Sequence, residues 1–323
     1  MINVVIPEKT DRRLPFYLAA EEWVAHNLPA DEYFFAWRVN PTVICGRHQE
    51  IDKEVNLDYC NSNQIDVVRR RSGGGCVFAD RNNWMFSYIT PGDAIVSTFS
   101  HYTGMIASML TDLGFDAAPT GRNDILVNGS KVAGNAFYHI PGRCIVHGTM
   151  LLDIDHEHIS NAITPARAKL ESKGVKSVSS RVTSLRACGL SMSVEEFGSL
   201  VVNSLCDKAI TLSETDVAQI EELEKRYYAP DFLRIGGLPQ KGNRRQKHIE
   251  GVGSVCANII TSDCGTIQSV KLTGDFFADD DAVRNFENSL KGLLPEQIDK
   301  HILSTGSPII GLDAHDLAKT FTE

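Results

Sequence analysis

The chain of 323 residues is long enough for one large domain or two, so a peptide-sized or disulfide-stapled scaffold is excluded. It has 42% hydrophobic and 23% charged residues, as globular proteins do, and no stretch approaches the roughly 18 uninterrupted apolar residues of a membrane span. Its net charge of -9 argues against a general nucleic-acid binder, because neutralising phosphates requires a positive surface.

The amino-terminal residues and the cysteines indicate the compartment. Residues 1–13 are rich in charge and lack the apolar run of a secretory signal. The 8 cysteines are scattered without a CxxC pair, which favours free thiols over disulfides or a zinc site. The sequence therefore predicts a cytoplasmic protein with no metal bound by cysteine.

The first part of the chain predicts one helix followed by strands. Apolar residues recur at helical spacing from Leu14 to Leu28, and Pro29 ends the run. Short segments rich in aromatic and β-branched residues then predict strands at 33–37, 42–46, 65–69 and 84–89. A second helical stripe runs from Phe99 to Leu113 and ends at Gly114.

Further strands are predicted at 125–127, 131–138 and 144–153, and helices follow after Val194 and over 216–228. Strands followed by helices indicate an α+β organisation. The segment 234–248 is rich in glycine and charge, with little to bury, and is predicted to be a linker and hinge. Alternating apolar residues beyond it predict a small domain of two strands followed by helices.

The densest chemical signal is the run from Arg69 to Gly75, in which three arginines lead into three glycines. Glycine lets backbone N–H groups approach a phosphate or carboxylate closely, and arginine adds charge, so the run favours an anion site. A flexible hairpin loop is the alternative. The run matches neither a Walker loop nor a dinucleotide fingerprint.

A second signal lies between Gly121 and Gly134. Asp124 could hold Mg²⁺ through oxygen, and Lys131 could lie against phosphate oxygens or an acyl carboxylate. The pair Asn128 and Gly129 predicts a two-residue hairpin turn, which alone would make Lys131 a solvated strand lysine. The two interpretations are compatible, because a hairpin can hold one lysine rigidly in a site.

Three histidines and a cysteine admit other chemistry. His147 follows Cys144 on an apolar strand, where it is either a structural histidine or a base beside a thiol nucleophile. A spacing of three on a strand places these two side chains on opposite faces, which weakens the second interpretation. His156 and His158 flank Glu157, but no third ligand is nearby, so we expect a solvated loop there.

Taken together, these segments resemble the lipoate-protein ligase family of the biotin and lipoate ligase superfamily. The resemblance spans nearly the whole chain in five ordered blocks, which begin with Asn40-Pro41-Thr42-Val43 and Gly46-Arg47-His48-Gln49 and continue with 69–78, 121–136, His147-Gly148-Thr149 and 173–183. It implies an α/β (α+β) catalytic domain with a mixed, mostly antiparallel sheet flanked by helices, and a small α+β accessory domain. We therefore predict a catalytic domain at 1–235, a linker at 236–248 and an accessory domain at 249–323.

The resemblance implies a two-step reaction. ATP and lipoic acid give lipoyl-adenylate and pyrophosphate, and the lipoyl group then passes to a lysine of an acceptor lipoyl domain. Lys131 is implied as the catalytic residue. Implied ATP and adenylate contacts are Arg70, Gly73, Gly74, Gly75, Cys76, Val77, Phe78, Asn123, Asp124 and Lys131. Implied lipoate contacts are Arg70, Ser72, Gly75, Lys131, Gly134, His147 and Gly148. Asp124 is the implied Mg²⁺ ligand.

The expected partners are lipoic or octanoic acid and an acceptor lipoyl domain, with neither nucleic acid nor membrane. Lys173, Lys176 and Arg181 are proposed docking charges for an acidic acceptor, and a solvated basic loop is the alternative. Two other functions remain open. One is a cysteine-dependent octanoyl or lipoyl transferase that uses Cys144 or Cys76, and the other is a non-catalytic module that binds lipoate or its carrier.

Overall fold

The computed structural model describes residues 1–7, 12–120, 122–164, 182–234 and 242–322. Its strands are β1 Ile2–Val5, β2 Tyr33–Trp37, β3 Thr42–Cys45, β4 Asp66–Arg69, β5 Val77–Ala79, β6 Trp84–Pro91, β7 Ala117–Pro119, β8 Asp124–Val127, β9 Ser130–Ile140, β10 Arg143–Met150, β11 Lys208–Thr211, β12 Asn243–Ile249, β13 Gly253–Thr261 and β14 Ile267–Gly274.

The α-helices among these residues are α1 Leu14–Asn27, α2 Ile51–Glu54, α3 Leu57–Ser62, α4 Ile95–Asp112, α5 His156–Ala162, α6 Val194–Leu205, α7 Glu214–Glu224, α8 Pro230–Leu233, α9 Asp280–Ser289, α10 Ile298–Thr305 and α11 Ala314–Thr322. Short 3₁₀ turns cover Lys225–Tyr228 and Pro295–Gln297. No described helix is both long enough and apolar enough to cross a bilayer.

The main sheet has eight strands in the order β11-β1-β2-β6-β10-β9-β8-β7. The β11–β1 and β1–β2 pairs are parallel, and the pairs from β2 to β7 are antiparallel. The predicted mixed, mostly antiparallel sheet is therefore confirmed. The sequence pattern missed the two parallel strands β1 and β11, which are four residues each and too short to show a period.

Helices cover both faces of this sheet, which explains why the central strand β2 is apolar throughout. In β2 the side chains of Tyr33, Phe35 and Trp37 pack with α1 and α7, whereas Phe34 packs on the opposite face with α4 and α6. Five consecutive apolar residues can form a strand because successive side chains point to opposite, equally covered faces. Helix α1 follows the predicted stripe and ends before Pro29.

A second sheet carries a segment that we call the glycine loop, residues 70–76. Its strand order is β4-β3-β5, with β3 parallel to β4 and antiparallel to β5. The glycine loop leaves the end of β4 and returns as β5, so its two ends are held by the two strands that flank β3.

The predicted hairpin between β8 and β9 is confirmed. Asn128 has φ 50° and Gly129 has φ 78°, so both turn residues are left-handed, as a type I′ turn requires. The strands pair Leu126 with Lys131 and Asp124 with Gly134, with a bulge between Ile125 and Leu126. This hairpin therefore holds Lys131 on a fixed strand.

The carboxyl-terminal part forms an antiparallel sheet β12-β13-β14 packed against α9, α10 and α11. The prediction that the linker extends over residues 243–248 is wrong, because Asn243–Ile249 is strand β12, which pairs along its length with β13. The run Arg244-Arg245-Gln246-Lys247 lacks apolar alternation because β12 is an edge strand in which no side chain is fully buried. Residues 235–241 lie outside the described residues, so the hinge stays a prediction.

Backbone, ring-stacking and ionic contacts join the carboxyl-terminal part to the glycine loop and to residues 47 and 48. The Gly74 N–H donates to the carbonyl of Phe276 at 3.0 Å, and the ring of His48 stacks on that of Phe276 with centroids 4.8 Å apart. Burial lowers the pKa of His48 to about 3, so this ring is neutral. Arg47 binds both carboxylate oxygens of Asp280, at 2.9 and 2.8 Å.

We expect Asp280→Asn to lower the free energy of unfolding at pH 7 by roughly 1–3 kcal/mol, because Arg47 loses a charged bidentate partner. Burial tends to raise the pKa of Asp280, but the hydrogen bonds and charge of Arg47 outweigh it and hold this pKa well below its ordinary value. The carboxylate therefore adds stability above the unfolded pKa, near 3.9, and that stability is lost as the pH falls.

Urea unfolding at pH 7, 5 and 3 tests this: the difference between the two proteins should shrink below about pH 4. The matched control is Asp281→Asn, since Asp281 is exposed and pairs only at the surface with Arg284. We expect that control to change stability by less than about 0.5 kcal/mol. A difference for Asp280→Asn that is the same at every pH would contradict the assignment.

Candidate active site

A cavity of about 490 Å³ lies between the glycine loop, the β8–β9 hairpin and the carboxyl-terminal part. The sequence-predicted site residues on its wall are Arg70, Gly74, Gly75, Cys76, Val77, Asn123, Asp124, Lys131, Gly134, His147 and Gly148. The structure thus brings together two motifs separated by about fifty residues in the sequence. Three predicted residues are not on the wall, namely Ser72, Gly73 and Phe78.

Lys131 carries its charge into this cavity. Its Nζ lies 2.7 Å from Oδ1 of Asp124, and both side chains keep about a quarter to a third of their surface exposed, 26% and 31%. A Cβ on Gly134 would lie 2.8 Å from Nζ and 3.0 Å from Cε of Lys131. Gly134 therefore leaves the space that the lysine tip occupies, a role that explains why glycine stands there.

Two asparagines brace the strands beside the lysine. The side-chain amide of Asn123 donates to the carbonyl of Asn135 at 3.2 Å, and that of Asn135 donates to the carbonyl of Asn123 at 3.0 Å. A Cβ on Gly148 would lie 2.0 Å from Oδ1 of Asn135, so Gly148 on β10 makes room for this pair. Asn135 is a site residue that sequence analysis missed, since an asparagine within a strand carries no motif.

The three adjacent arginines 69–71 bind groups of the protein itself more than the sequence predicted. Arg70 is buried, and its guanidinium donates to the carbonyls of Gly73 at 2.6 Å, Gly75 at 2.9 Å and Ile44 at 3.1 Å. Arg69 donates to the carbonyls of Gly46, Arg47 and Gln49 at 2.8–3.0 Å.

Arg71 pairs with Glu22 at 2.7 Å, so the three adjacent arginines have three different partner sets. Burial lowers the pKa of Arg69 and of Arg70 to about 10, so both remain charged at neutral pH. Because these guanidinium groups already bind backbone carbonyls and Glu22, they offer fewer donors to a bound anion than the sequence suggested.

The glycine segment is not the open flexible loop that was the alternative. Gly74 is left-handed, with φ 88°, and a Cβ on Gly73 would lie 2.4 Å from the carbonyl oxygen of Phe276. A Cβ on Gly46 would lie only 1.9 Å from the carbonyl oxygen of Gly74. The loop is therefore packed on both sides, and glycine is required for close backbone contact.

A buried hydrogen-bonded chain links the loop to helix α1. The Oγ of Ser72 lies 2.6 Å from Nε2 of His147, and Nδ1 of His147 lies 2.9 Å from the carboxylate of Glu21. Ser87 donates to Glu21 at 2.6 Å and accepts from the indole N–H of Trp37 at 2.9 Å. Sequence analysis missed Glu21, although two adjacent glutamates within an otherwise apolar helical run were a usable signal.

The cavity wall combines apolar and polar side chains, and two groups of five come from different parts of the fold, the first from α1, β2, β3 and β6 and the second from residues 120–131. Leu14, Leu18, Trp37, Ile44 and Met85 form the first group, and Thr120, Arg122, Asn123, Asp124 and Lys131 form the second. Such a cavity suits a ligand with an apolar chain and a charged head group.

Other sequence candidates lie elsewhere. Cys144 is buried, 2% exposed, and its thiol donates to the carbonyl of Gly92, away from the cavity wall. His156 and His158 begin α5, in place of the expected loop. The described residues hold no group of three or more His, Cys, Asp or Glu side chains arranged for a metal. Gly121, Lys173, Lys176 and Arg181 lie outside the described residues.

Residues 14–206, more than half of the chain, match the family model of the lipoyl protein ligase A/B catalytic domain. The chain belongs to this family. It is 36% identical over 285 residues to lipoate–protein ligase 1 of Staphylococcus aureus, with 86% of each chain covered. It is 34% identical to the lipoate-protein ligase LplJ of Bacillus subtilis, with 85% of each chain covered. The resemblance seen in the sequence is thereby confirmed.

Solved structures share the fold of this lipoyl ligase family member. P. falciparum LipL1, solved in complex with lipoate, aligns with a TM-score of 0.78 at 19% identity, covering 96% of this chain and 95% of that chain. A bipartite lipoate protein ligase of Thermoplasma acidophilum, solved with its E2 lipoyl domain, gives 0.65 at 24% identity over 75% and 99%. A lipoate-protein ligase A bound with ATP gives 0.62 at 23% over 72% and 98%.

We expect Gly46→Ala to lower the free energy of unfolding by roughly 1–3 kcal/mol, because the added methyl would overlap the backbone carbonyl of Gly74 and displace the glycine loop. The matched control is Gly104→Ala in helix α4, where a Cβ would meet nothing within 4 Å. That control should raise stability by up to about 1 kcal/mol. Urea unfolding measures both, and a Gly46→Ala protein as stable as the parent would contradict the packing described.

Proposed function

We propose that this chain is an ATP-dependent lipoate-protein ligase that adenylates lipoic acid and transfers the lipoyl group to a lysine of an acceptor lipoyl domain. The observation that carries the proposal is the ammonium of Lys131, held by the hairpin on the wall of a cavity that is also lined by apolar side chains. Family membership supports it, and so do the names of relatives about one-third identical over most of the chain.

In the first step a carboxylate oxygen of lipoate attacks the α-phosphorus of ATP, and pyrophosphate leaves. Both reactants are anions, so a fixed cation must offset their repulsion as the new P–O bond forms. The Lys131 ammonium has Asp124 as its partner, and it can exchange that carboxylate for the acyl carboxylate and α-phosphate when they enter. The apolar wall formed by residues such as Leu18 and Met85 would hold the acyl chain.

In the second step the amine of the acceptor lysine attacks the acyl carbon of the adenylate, and AMP leaves with the pair of electrons from the broken C–O bond. No covalent enzyme intermediate is required. Lys131 and the amides of the glycine loop are the groups proposed to hold the mixed anhydride, with Asn123 near the adenosine. The acceptor is a protein of the kind solved with the Thermoplasma acidophilum ligase, whose partner is an E2 lipoyl domain.

The donor set on the cavity wall suits Mg²⁺ bound mainly through phosphates. Asp124 supplies one carboxylate there, and Mg²⁺ in nucleotide sites characteristically takes one or two carboxylates with phosphate oxygens and waters. We propose Asp124 as its protein ligand. The ion would neutralise phosphate charge, while the chain's own residues bind and orient the acid.

Octanoic acid is proposed as a second acid substrate. A cytoplasmic location remains our expectation.

Two observations favour a ligase over a cysteine-dependent transferase. Cys144 lies off the cavity wall. Cys76 lies on the wall, but its contact with Cys45 and its burial raise the pKa of its thiol well above the ordinary value, which opposes thiolate formation. A non-catalytic binding module is not favoured either, because the chain belongs to an enzyme family and has Lys131 on the cavity wall.

We expect Lys131→Ala to reduce lipoate-dependent pyrophosphate release by about 10²–10³-fold, the effect of removing one preorganised charge from a developing transition state. The purified chain is assayed with Mg-ATP and lipoate, octanoate or biotin. Lys225→Ala is the control, because Lys225 is exposed and pairs with Glu222 at the surface. Release that is equal in both variants, or acyl transfer from a carrier without ATP, would overturn the ligase assignment.

Gly134→Ala should separate folding from chemistry. The new Cβ would displace only the tip of Lys131, which is flexible, so we expect unfolding free energy to change by less than about 1 kcal/mol. We expect the rate of adenylate formation to fall at least roughly tenfold, since the ammonium is moved from its position beside Asp124. Thermal unfolding and single-turnover assays measure the two effects, and an unchanged adenylation rate would count against the role given to Gly134.

A further inference from the structure

Two cysteines meet at the edge of the cavity in a way that the proposed ligase reaction does not use. The Sγ of Cys76 lies 3.5 Å from the Sγ of Cys45 and 3.2 Å from Oε1 of Gln49. Cys76 lies on the cavity wall, whereas Cys45 is completely buried behind it. One thiol of the pair is therefore reachable by a small molecule, and the other is reachable only through the first.

Strand register explains the contact. Strands β3 and β5 are antiparallel and pair Thr42 with Ala79, Val43 with Phe78 and Ile44 with Val77. Continuing this register by one residue places Cys45 directly opposite Cys76. Side chains directly opposite each other on antiparallel strands have Cβ atoms roughly 4.5–5.5 Å apart, close to the 3.5–4.5 Å typical of a disulfide.

We propose that Cys45 and Cys76 form a redox-active dithiol that small disulfides oxidise, through the cavity, to an intramolecular disulfide. The two sulfurs must approach by about 1.5 Å to reach the ordinary S–S bond length, a distance that side-chain rotation and a small strand shift can supply. The bond would fasten the last residue of the glycine loop to β3.

The reaction balances as two thiol–disulfide exchanges. The Cys76 thiol loses its proton, its sulfur bonds to one sulfur of the oxidant, and the oxidant's S–S bond breaks to release one thiol. The sulfur of Cys45, after losing its proton, then attacks Sγ of Cys76 and releases the second thiol. Two electrons pass from the protein to the oxidant, and the two protons are taken up by the released thiolates.

The surroundings of Cys76 set how the rate depends on pH. The titratable or charged groups facing it are Cys45, Glu54 and Arg70. The hydrogen bond with Cys45, burial and the nearby carboxylate raise the pKa of Cys76 well above that of a free thiol, and Arg70 opposes them more weakly. The rate should therefore rise with pH between pH 7 and 9, because exchange requires the thiolate.

The test starts from a Cys264→Ser protein, since Cys264 is exposed and hydrogen bonds from Ser262 and Thr266 lower the pKa of its thiol to about 7. This protein is incubated with bis(2-hydroxyethyl) disulfide at pH 8.5, alkylated with iodoacetamide and digested without reduction. We expect mass spectrometry to find the peptides of Cys45 and Cys76 joined, with two fewer alkylated thiols. Dithiothreitol should restore both.

Two further variants decide the order of attack, with circular dichroism confirming that each is folded. In Cys45→Ala we expect a stable mixed disulfide on Cys76, because no second thiol resolves it. In Cys76→Ser we expect Cys45 to stay unmodified, because it is shielded. The proposal is overturned if the parent holds only a mixed disulfide on Cys76, if neither cysteine reacts, or if Cys45 is modified without Cys76. None of these readouts requires ligase activity.

Discussion

The glycine loop depends on two buried guanidinium groups that are bound by backbone carbonyls. Removing an arginine charge from water is costly unless its donors are paired, and neither Arg69 nor Arg70 makes an ion pair within the described residues. Arg70 therefore fixes the carbonyls of Gly73 and Gly75 about one group, which the left-handed Gly74 allows. The loop's shape is a consequence of satisfying this charge.

The same constraint explains what the sequence could show of the site and what it could not. The hairpin turn, the placement of Lys131 on it and eleven of the residues on the cavity wall followed from local motifs and from the family resemblance. The binding partners of the three adjacent arginines could not be predicted, because each guanidinium could bind either a ligand or another part of the chain. Only the surrounding carbonyls and Glu22 decide between these uses, and those partners come from distant segments.

Fold prediction had a similar limit. Helices α1 and α4 and strand β2 were predictable, because long or strongly apolar segments reveal their period. Strand β12 was not, because an edge strand with exposed polar side chains has the composition of a linker. Its pairing with β13 is a non-local property. The contacts of Phe276 and Phe277 with the glycine loop and the cavity could not be predicted either, because they too join segments distant in the sequence.

The chain from Glu21 through His147 to Ser72 connects these features. Glu21 is fully buried, and a buried carboxylate must be paired. It accepts hydrogen bonds from Ser87 and Nδ1 of His147, which orients Nε2 of the histidine toward Ser72. Ser72 in turn accepts from Nε of Arg70 at 2.9 Å. Because every partner is fixed by the next, helix α1, the wall of the cavity and the glycine loop form one polar network, and displacement of any member must be transmitted to the loop.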